Sequence, residues 1–431
     1  MKSSIDISML LGGLLIATAA LGQLPGQVVV DPDNASWFRY QQGDSFYLCA
    51  PGEPEDFLYR GSRNANGTRN GDQGSLLSKL GPTGANGIYL QAVRSHGGDG
   101  DSTHNPFVDN DKNKGLNQAV LDQWEGWFDT MDEDGIVIFF IFYDDSARLW
   151  GSKGSGLAPE ETTFVSALVD RFEHHKHLIW VVAEEYEEMW TTAEASQLAS
   201  IIKAADNNNH PVAVHQLTGL GFDFPNDPRV DQFAIQHGAF DPDSVHANMV
   251  STWNSANGRY NLNLAEPHRD AWGTGSRARH NSWATALGGA YVMHIDWDIA
   301  GTPVARLKEC GYLRSFMEFA DLTSMAPKDS LASGSTNYVL ANPGIAYIAY
   351  TRDGGSPGIK SLPAGTPLQR WLDTVTGTMV ELTQSISGGN TLFSRPGGIG
   401  SEAALYLLFD EDVLADGFES GDTTTWSRAT L

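Results

Sequence analysis

Two apolar runs, far apart in the chain, each lead straight into glutamate. Leu178-Ile-Trp-Val-Val-Ala ends in Glu184 and Glu185, and Asn261-Leu-Asn-Leu-Ala ends in Glu266. A pair of opposed carboxyl groups suits the hydrolysis of a glycosidic bond, in which one group protonates the departing oxygen and the other attacks the anomeric carbon or activates water. Other apolar runs also end in polar or aromatic side chains: Arg94, Ser95 and His96; Tyr143, Asp144 and Asp145; His215 and Gln216; Gln236 and His237; Asp296, Trp297 and Asp298. Such groups hydrogen-bond hydroxyls while an indole stacks on a sugar face, which makes Arg94, His96, Tyr143, Asp144, His215, His237, Asp296 and Trp297 the candidate binding residues. Glu187 and Glu188 read instead as the solvated first turn of a helix, where acidic side chains favour the dipole.

The elements that must position these residues alternate in type. Eight short apolar segments stand out: Phe46 to Ala50, Ile88 to Val93, Ile136 to Tyr143, Leu178 to Ala183, Val212 to Gln216, Gln232 to Gln236, Tyr260 to Ala265 and Tyr291 to Ile295. Near-continuous apolar character suits parallel strands covered on both faces. Helical periodicity separates several of them, with Leu116, Val120, Trp124, Phe128 and Met131 before the third and Phe164, Leu168 and Phe172 before the fourth. Thr191 and Glu194 have capping-box spacing and start another helix, whose buried face is Leu198, Ile201 and Ile202. The pattern predicts an α/β fold, a (β/α)8 TIM barrel over residues 23–328, whose reactive groups lie at the C-terminal ends of the strands. A doubly wound open sheet lacks support, because no Gly-x-Gly-x-x-Gly follows an early strand.

Beyond the barrel, residues 329–410 break into short strand-like pieces between Gly and Pro turns, such as Tyr338 to Leu340, Ile345 to Tyr350 and Ala404 to Phe409. They predict a small C-terminal β-sandwich followed by an exposed tail over 411–431. At the other end, Lys2, the apolar run Met9 to Ile16 and the small residues before Gln23 form a signal-peptide pattern over residues 1–22. The expected product is secreted or periplasmic, with no membrane insertion once the signal is removed. Cys49 and Cys310 either pair or remain two buried thiols.

Composition narrows the partners. The chain of 431 residues carries 53 acidic and 28 basic side chains, a formal charge of -25. That surface repels a phosphate backbone, so no nucleic acid is expected as partner. No cofactor and no metal are expected either. Glu173-His-His-Lys-His177 reads as the basic close of a helix before the fourth strand. Asp109, Asp111 and Asn113 lack the glycine and closing Glu of an EF-hand loop, and Gly354-Gly-Ser-Pro-Gly358 reads as a turn in the sandwich.

Gly43-Asp-Ser-Phe-Tyr-Leu, Gly84-Ala-Asn-Gly-Ile-Tyr-Leu-Gln, Asn105-Pro-Phe and Ile179-Trp-Val-Val-Ala-Glu-Glu together resemble the apiosidase-like group of (β/α)8 glycoside hydrolases, related to clan A. Tyr338-Val-Leu-Ala-Asn-Pro-Gly, Tyr347-Ile-Ala-Tyr and Arg370-Trp-Leu-Asp-Thr-Val-Thr-Gly are similar to a C-terminal sandwich of the collagen-binding type that often accompanies that barrel. The resemblance implies a retaining mechanism on an oligosaccharide or polysaccharide substrate, a plant or microbial glycan, with Glu185 as acid/base and Glu266 as nucleophile. Clan A relatives usually have Asn before the acid/base; Glu184 stands there in this chain and is the alternative acid/base. A non-catalytic exported protein that binds carbohydrate or matrix on a barrel scaffold is the second reading, and a lyase or phosphorylase on the same barrel the third.

Overall fold

The computed structural model describes residues 23–52, 56–267 and 275–409, so the expected signal segment and C-terminal tail lie outside the described residues. A short antiparallel hairpin comes first, β1 (Val28–Val30) with β2 (Phe38–Tyr40). Eight strands then form one all-parallel sheet: β3 (Cys49–Pro51), β4 (Gly87–Gln91), β5 (Val137–Ile141), β6 (Leu178–Val181), β7 (Val212–His215), β8 (Gln232–His237), β9 (Asn261–Pro267) and β10 (Tyr291–His294). Each falls on one of the eight apolar runs. Their order, β3-β10-β9-β8-β7-β6-β5-β4, nearly closes a barrel, with β3 and β4 at the seam.

Asn86 spans that seam. Its side-chain oxygen accepts the Cys49 N–H at 3.0 Å, its backbone N–H donates to the Cys49 carbonyl at 3.1 Å, and its side-chain amide donates to the Tyr47 carbonyl at 2.9 Å. Gly87 lets the two strands approach, since a Cβ there would sit 2.9 Å from Leu48 Cδ1 and 3.0 Å from the Ala50 Cβ. The hairpin lies against the N-terminal ends of the strands, opposite the end that carries Glu185 and Glu266: the Tyr291 hydroxyl accepts the Phe38 N–H, and the Asn261 amide donates to the Ser36 carbonyl at 2.7 Å.

Among the described residues seven α-helices surround the strands: α1 (Gln73–Leu80), α2 (Gln118–Asp134), α3 (Pro159–Phe172), α4 (Thr192–Ala205), α5 (Pro242–Ala256), α6 (Ser276–Leu287) and α7 (Val304–Glu318). The expected helix faces are the buried ones, Trp124, Phe128 and Met131 on α2 and Phe164, Leu168 and Phe172 on α3. The capping box forms as its spacing predicts: the Thr191 hydroxyl accepts the Glu194 N–H, and the Glu194 carboxylate accepts the Thr191 N–H at 2.8 Å. Cys49 and Cys310 are disulfide-bonded, tying β3 to α7 across 261 positions of sequence.

Two antiparallel sheets follow. The larger runs β11 (Ala326–Pro327), β13 (Tyr338–Asn342), β14 (Ala346–Thr351), β19 (Ala403–Leu408), β16 (Leu368–Asp373) and β17 (Met379–Thr383) in spatial order; the smaller is β12 (Ala332–Gly334), β15 (Pro357–Leu362) and β18 (Gly389–Leu392). Val339, Tyr347, Ile359, Trp371 and Phe393 form the core they share. The large sheet seats on α6, where Trp283 stacks on Tyr350 with ring centroids 5.2 Å apart.

Candidate active site

Glu185 leaves β6 through a left-handed backbone conformation, φ 39° and ψ 51°. A non-glycine residue pays about 1 kcal/mol or more to sit there, so its neighbours must hold it. They do so by direct bonds. The Glu184 N–H donates to the Tyr143 carbonyl at 2.9 Å, and the Glu185 N–H donates to His215 Nδ1 at 3.1 Å. The Glu185 carboxylate Oε1 accepts the Gln236 side-chain amide at 2.6 Å. Burial raises its pKa to about 7, aided by the charges of Glu266, Glu188 and Asp145 and opposed by the Gln236 hydrogen bond.

Glu266 reaches the same mouth by a change of register. Along β9, Asn261 and Asn263 turn inward onto Gln232, so strict alternation would point Ala265 in and Glu266 out. Between the pairs Ala234–Asn263 and Gln236–Glu266, β9 carries one residue more than β8. This bulge resets the phase and sets Glu266 opposite Gln236, on the inner side.

His215, the last residue of β7, connects the two glutamates. Its Nδ1 accepts a backbone N–H, so the ring proton belongs on Nε2, which lies 3.5 Å from Glu266 Oε2. The ring is fully buried, and burial lowers its pKa to about 3, which keeps the imidazole neutral. A neutral N–H thus faces the Glu266 carboxylate while the opposite edge of the same ring fixes the Glu185 backbone.

The structure separates the adjacent glutamates. Glu184 is buried and accepts the Gln91 amide at 2.7 Å; Gln91 also reaches Asp144 at 3.3 Å, and Arg94 donates to Asp144 at 3.2 Å. Glu184, Arg94 and Asp144 therefore form a buried network beneath the mouth. Glu185 is only partly buried.

Two of the remaining candidates turn away from the mouth. Tyr143 packs between Trp190, at 4.8 Å, and Phe164, at 5.8 Å, outside the barrel wall, because β5 ends at Ile141 and the backbone bends before it. His237 points to α5, where its Nε2 meets the Asn248 amide at 2.8 Å; Gln236, its neighbour, faces the mouth instead. His96 is exposed beside Ser95, Asp296 is exposed, and Trp297 is buried flat on His294 with centroids 3.9 Å apart.

Three further groups belong to the mouth. Gln236 holds Glu185, as described. Asp145 and Glu188 bring carboxylate oxygens to within 4.8 Å of Glu185 and of each other, and burial raises Asp145 to about 6, together with Asp144, Asp99 and Glu188. The helical reading of Glu187 and Glu188 fails because they form a separate 3-10 turn, Tyr186–Glu188, before α4 starts at Thr192. Glu187 accepts the Leu217 N–H at 2.9 Å and so anchors the loop after β7. The sequence signal for this is the three-residue spacing of Glu185 and Glu188.

Among the described residues His294 lies beside both cysteines, but their sulfurs are joined to each other and offer no metal ligand.

Residues 83–288 match the family described as "Apiosidase-like, catalytic domain". That segment of the barrel is apiosidase-like. Among solved structures, a protein described as a glycoside hydrolase is similar at a TM-score of 0.67 and 14% identity, over 90% of this chain and 98% of that one. A glycoside hydrolase family 5 protein from Bacteroides vulgatus ATCC 8482 is similar at a TM-score of 0.65 and 14% identity, over 89% and 94%. At such identities the likeness is one of fold, and it extends beyond the apiosidase-like segment. No curated protein matches the chain in sequence. Among the described residues no helix is long and apolar enough to cross a membrane.

Proposed function

We propose that this hydrolase is an exported retaining glycosidase acting on a plant or microbial glycan, with Glu185 as acid/base and Glu266 as nucleophile. The observation that carries the proposal is His215 joining the two glutamates at the mouth while Glu185 is raised to about 7. Near neutrality Glu185 still carries a proton to give to the departing oxygen. As that bond breaks, Glu266 bonds to the anomeric carbon, and the Nε2–H of His215 steadies its carboxylate beforehand. In the second step Glu185, now ionised, takes a proton from water as the water oxygen displaces Glu266. Glu184 is occupied by Gln91 below the mouth, which favours Glu185 for the proton transfer.

The family match makes apiose-bearing and arabinofuranosyl substrates the first to screen, alongside aryl glycosides. The C-terminal sheets serve as its accessory domain, of the collagen-binding type. The disulfide between Cys49 and Cys310 supports export, since such bonds persist in oxidising compartments.

The test is activity against folding. Glu266→Gln should reduce turnover by roughly a thousandfold or more with an unchanged circular dichroism spectrum. An active Glu266→Gln enzyme would refute the assignment.

A further inference from the structure

A second set of chemistry-bearing side chains lies at the opposite end of the barrel, where the chain leaves α3 and enters β6. His174 Nε2 lies 2.6 Å and His175 Nε2 lies 3.2 Å from the same oxygen, Oε1 of Glu125 on α2. Asp129, one helical turn further along α2, adds a fourth donor, and the four ligand atoms all lie within 4.8 Å of one another. The other Glu125 oxygen faces the Arg171 guanidinium at 2.9 Å, which leaves Oε1 to the histidines.

The surroundings of His175 make this arrangement informative. Its ring is 1% exposed, and its Nδ1 lies 3.1 Å from Asp132 Oδ2. Asp132 also accepts the backbone N–H groups of Lys176, at 3.1 Å, and His177, at 3.0 Å. It is therefore an ionised acceptor, and the proton of a neutral His175 belongs on Nδ1. The lone pair then sits on Nε2, which is buried, makes no hydrogen bond and faces a carboxylate oxygen. Two such atoms at this distance call for a positive charge between them, a metal ion or a proton on Nε2. Glu125 and Asp129, like charges one helical turn apart, repel each other. Two imidazole nitrogens and two carboxylate oxygens are a donor set suited to zinc(II), and a carboxylate behind a ligating histidine is the usual means of fixing its tautomer.

We propose that His174, His175, Glu125 and Asp129 form a divalent transition-metal site, zinc(II) by its donor chemistry, oriented by Asp132. The sequence suggests only the close of a helix here because Glu125 and Asp129 belong to a different helix from the histidines. The site clamps α2 to the turn entering β6. It lies at the N-terminal end of the strands, away from the catalytic mouth, so its role is stability rather than turnover.

The experiment uses full-length protein stripped with EDTA and titrated with zinc chloride near neutral pH, by calorimetry and by thermal melting. The expected result is saturable binding of one equivalent with Kd at or below about 10 µM and a melting temperature that rises with zinc. In His174→Ala, whose side chain is exposed and whose fold is checked by circular dichroism, and in Asp129→Asn, Kd should rise by about tenfold or more. Hydrolase activity should not depend on zinc. Absence of saturable binding at about 100 µM zinc would mean that His175 is simply protonated between Glu125 and Asp132, and would overturn the proposal. Equal affinity in the wild type and both variants would overturn it too.

Discussion

Glu185 at the barrel mouth and Glu402 beneath the C-terminal sheet are both drawn away from water, yet they titrate in opposite directions. Burial pushes each carboxyl upward. At the mouth it is joined by the charges of Glu266, Glu188 and Asp145, and Glu185 rises to about 7. At the interface burial is outweighed. Arg279 grips Glu402 with two hydrogen bonds, of 2.6 and 2.7 Å, His280 adds a contact at 3.1 Å and Tyr350 donates at 3.0 Å, and Glu402 falls to about 2. Partners rather than depth decide the sign, and here they separate a group kept ready to exchange a proton from one that joins two parts of the fold.

The largest expected contrast is between activity and stability. Glu185→Gln should reduce kcat/KM by roughly a thousandfold on substrates with poor leaving groups while the enzyme melts no lower than the wild type near pH 8. Glu402→Gln should leave kcat/KM nearly intact and cost about 3 kcal/mol in chemical denaturation, because the Arg279 guanidinium loses its bidentate partner in a buried site. If both variants lost activity and stability together, the contrast would be broken.

A smaller effect separates the two in pH. Glu402 has a folded pKa below its unfolded value, so its contribution is present above about pH 4.3 and disappears as pH falls toward 2. Glu185 has a raised folded pKa, so the folded state binds an extra proton between about pH 4.3 and 7 and is penalised above that range. Urea unfolding of Glu185→Gln against wild type should show a stability gain at pH 8 that vanishes at pH 4. The smallest effect sharpens the account of the mouth: Asp145→Asn removes one of the charges that raise Glu185, so the basic limb of kcat/KM should move to lower pH.

Much of this was legible in the sequence because it is local. Parallel strands covered on both faces write themselves as apolar runs, and Thr191 with Glu194 announces a helix start. Glu184, Glu185 and Glu266 stand out as the charges that directly follow two such runs. What was not legible depends on contacts between distant segments. The phase that turns Glu266 inward comes from an extra residue against β8, and the link from Gln236 to Glu185 spans two strand ends. Tyr143 shares a strand-end position with true mouth residues, but the bend after Ile141 turns it toward Trp190. Arg148 shows the same limit, since its two carboxylate partners, Glu161 and Glu194, lie on separate helices.

The most direct test of the paired glutamates is the anomeric configuration of the first-formed sugar, followed by proton NMR on an aryl glycoside the enzyme turns over. Double displacement through Glu266 predicts a product with the configuration of the substrate, and azide should accelerate Glu185→Ala on the same glycoside. A product of inverted configuration would contradict the account.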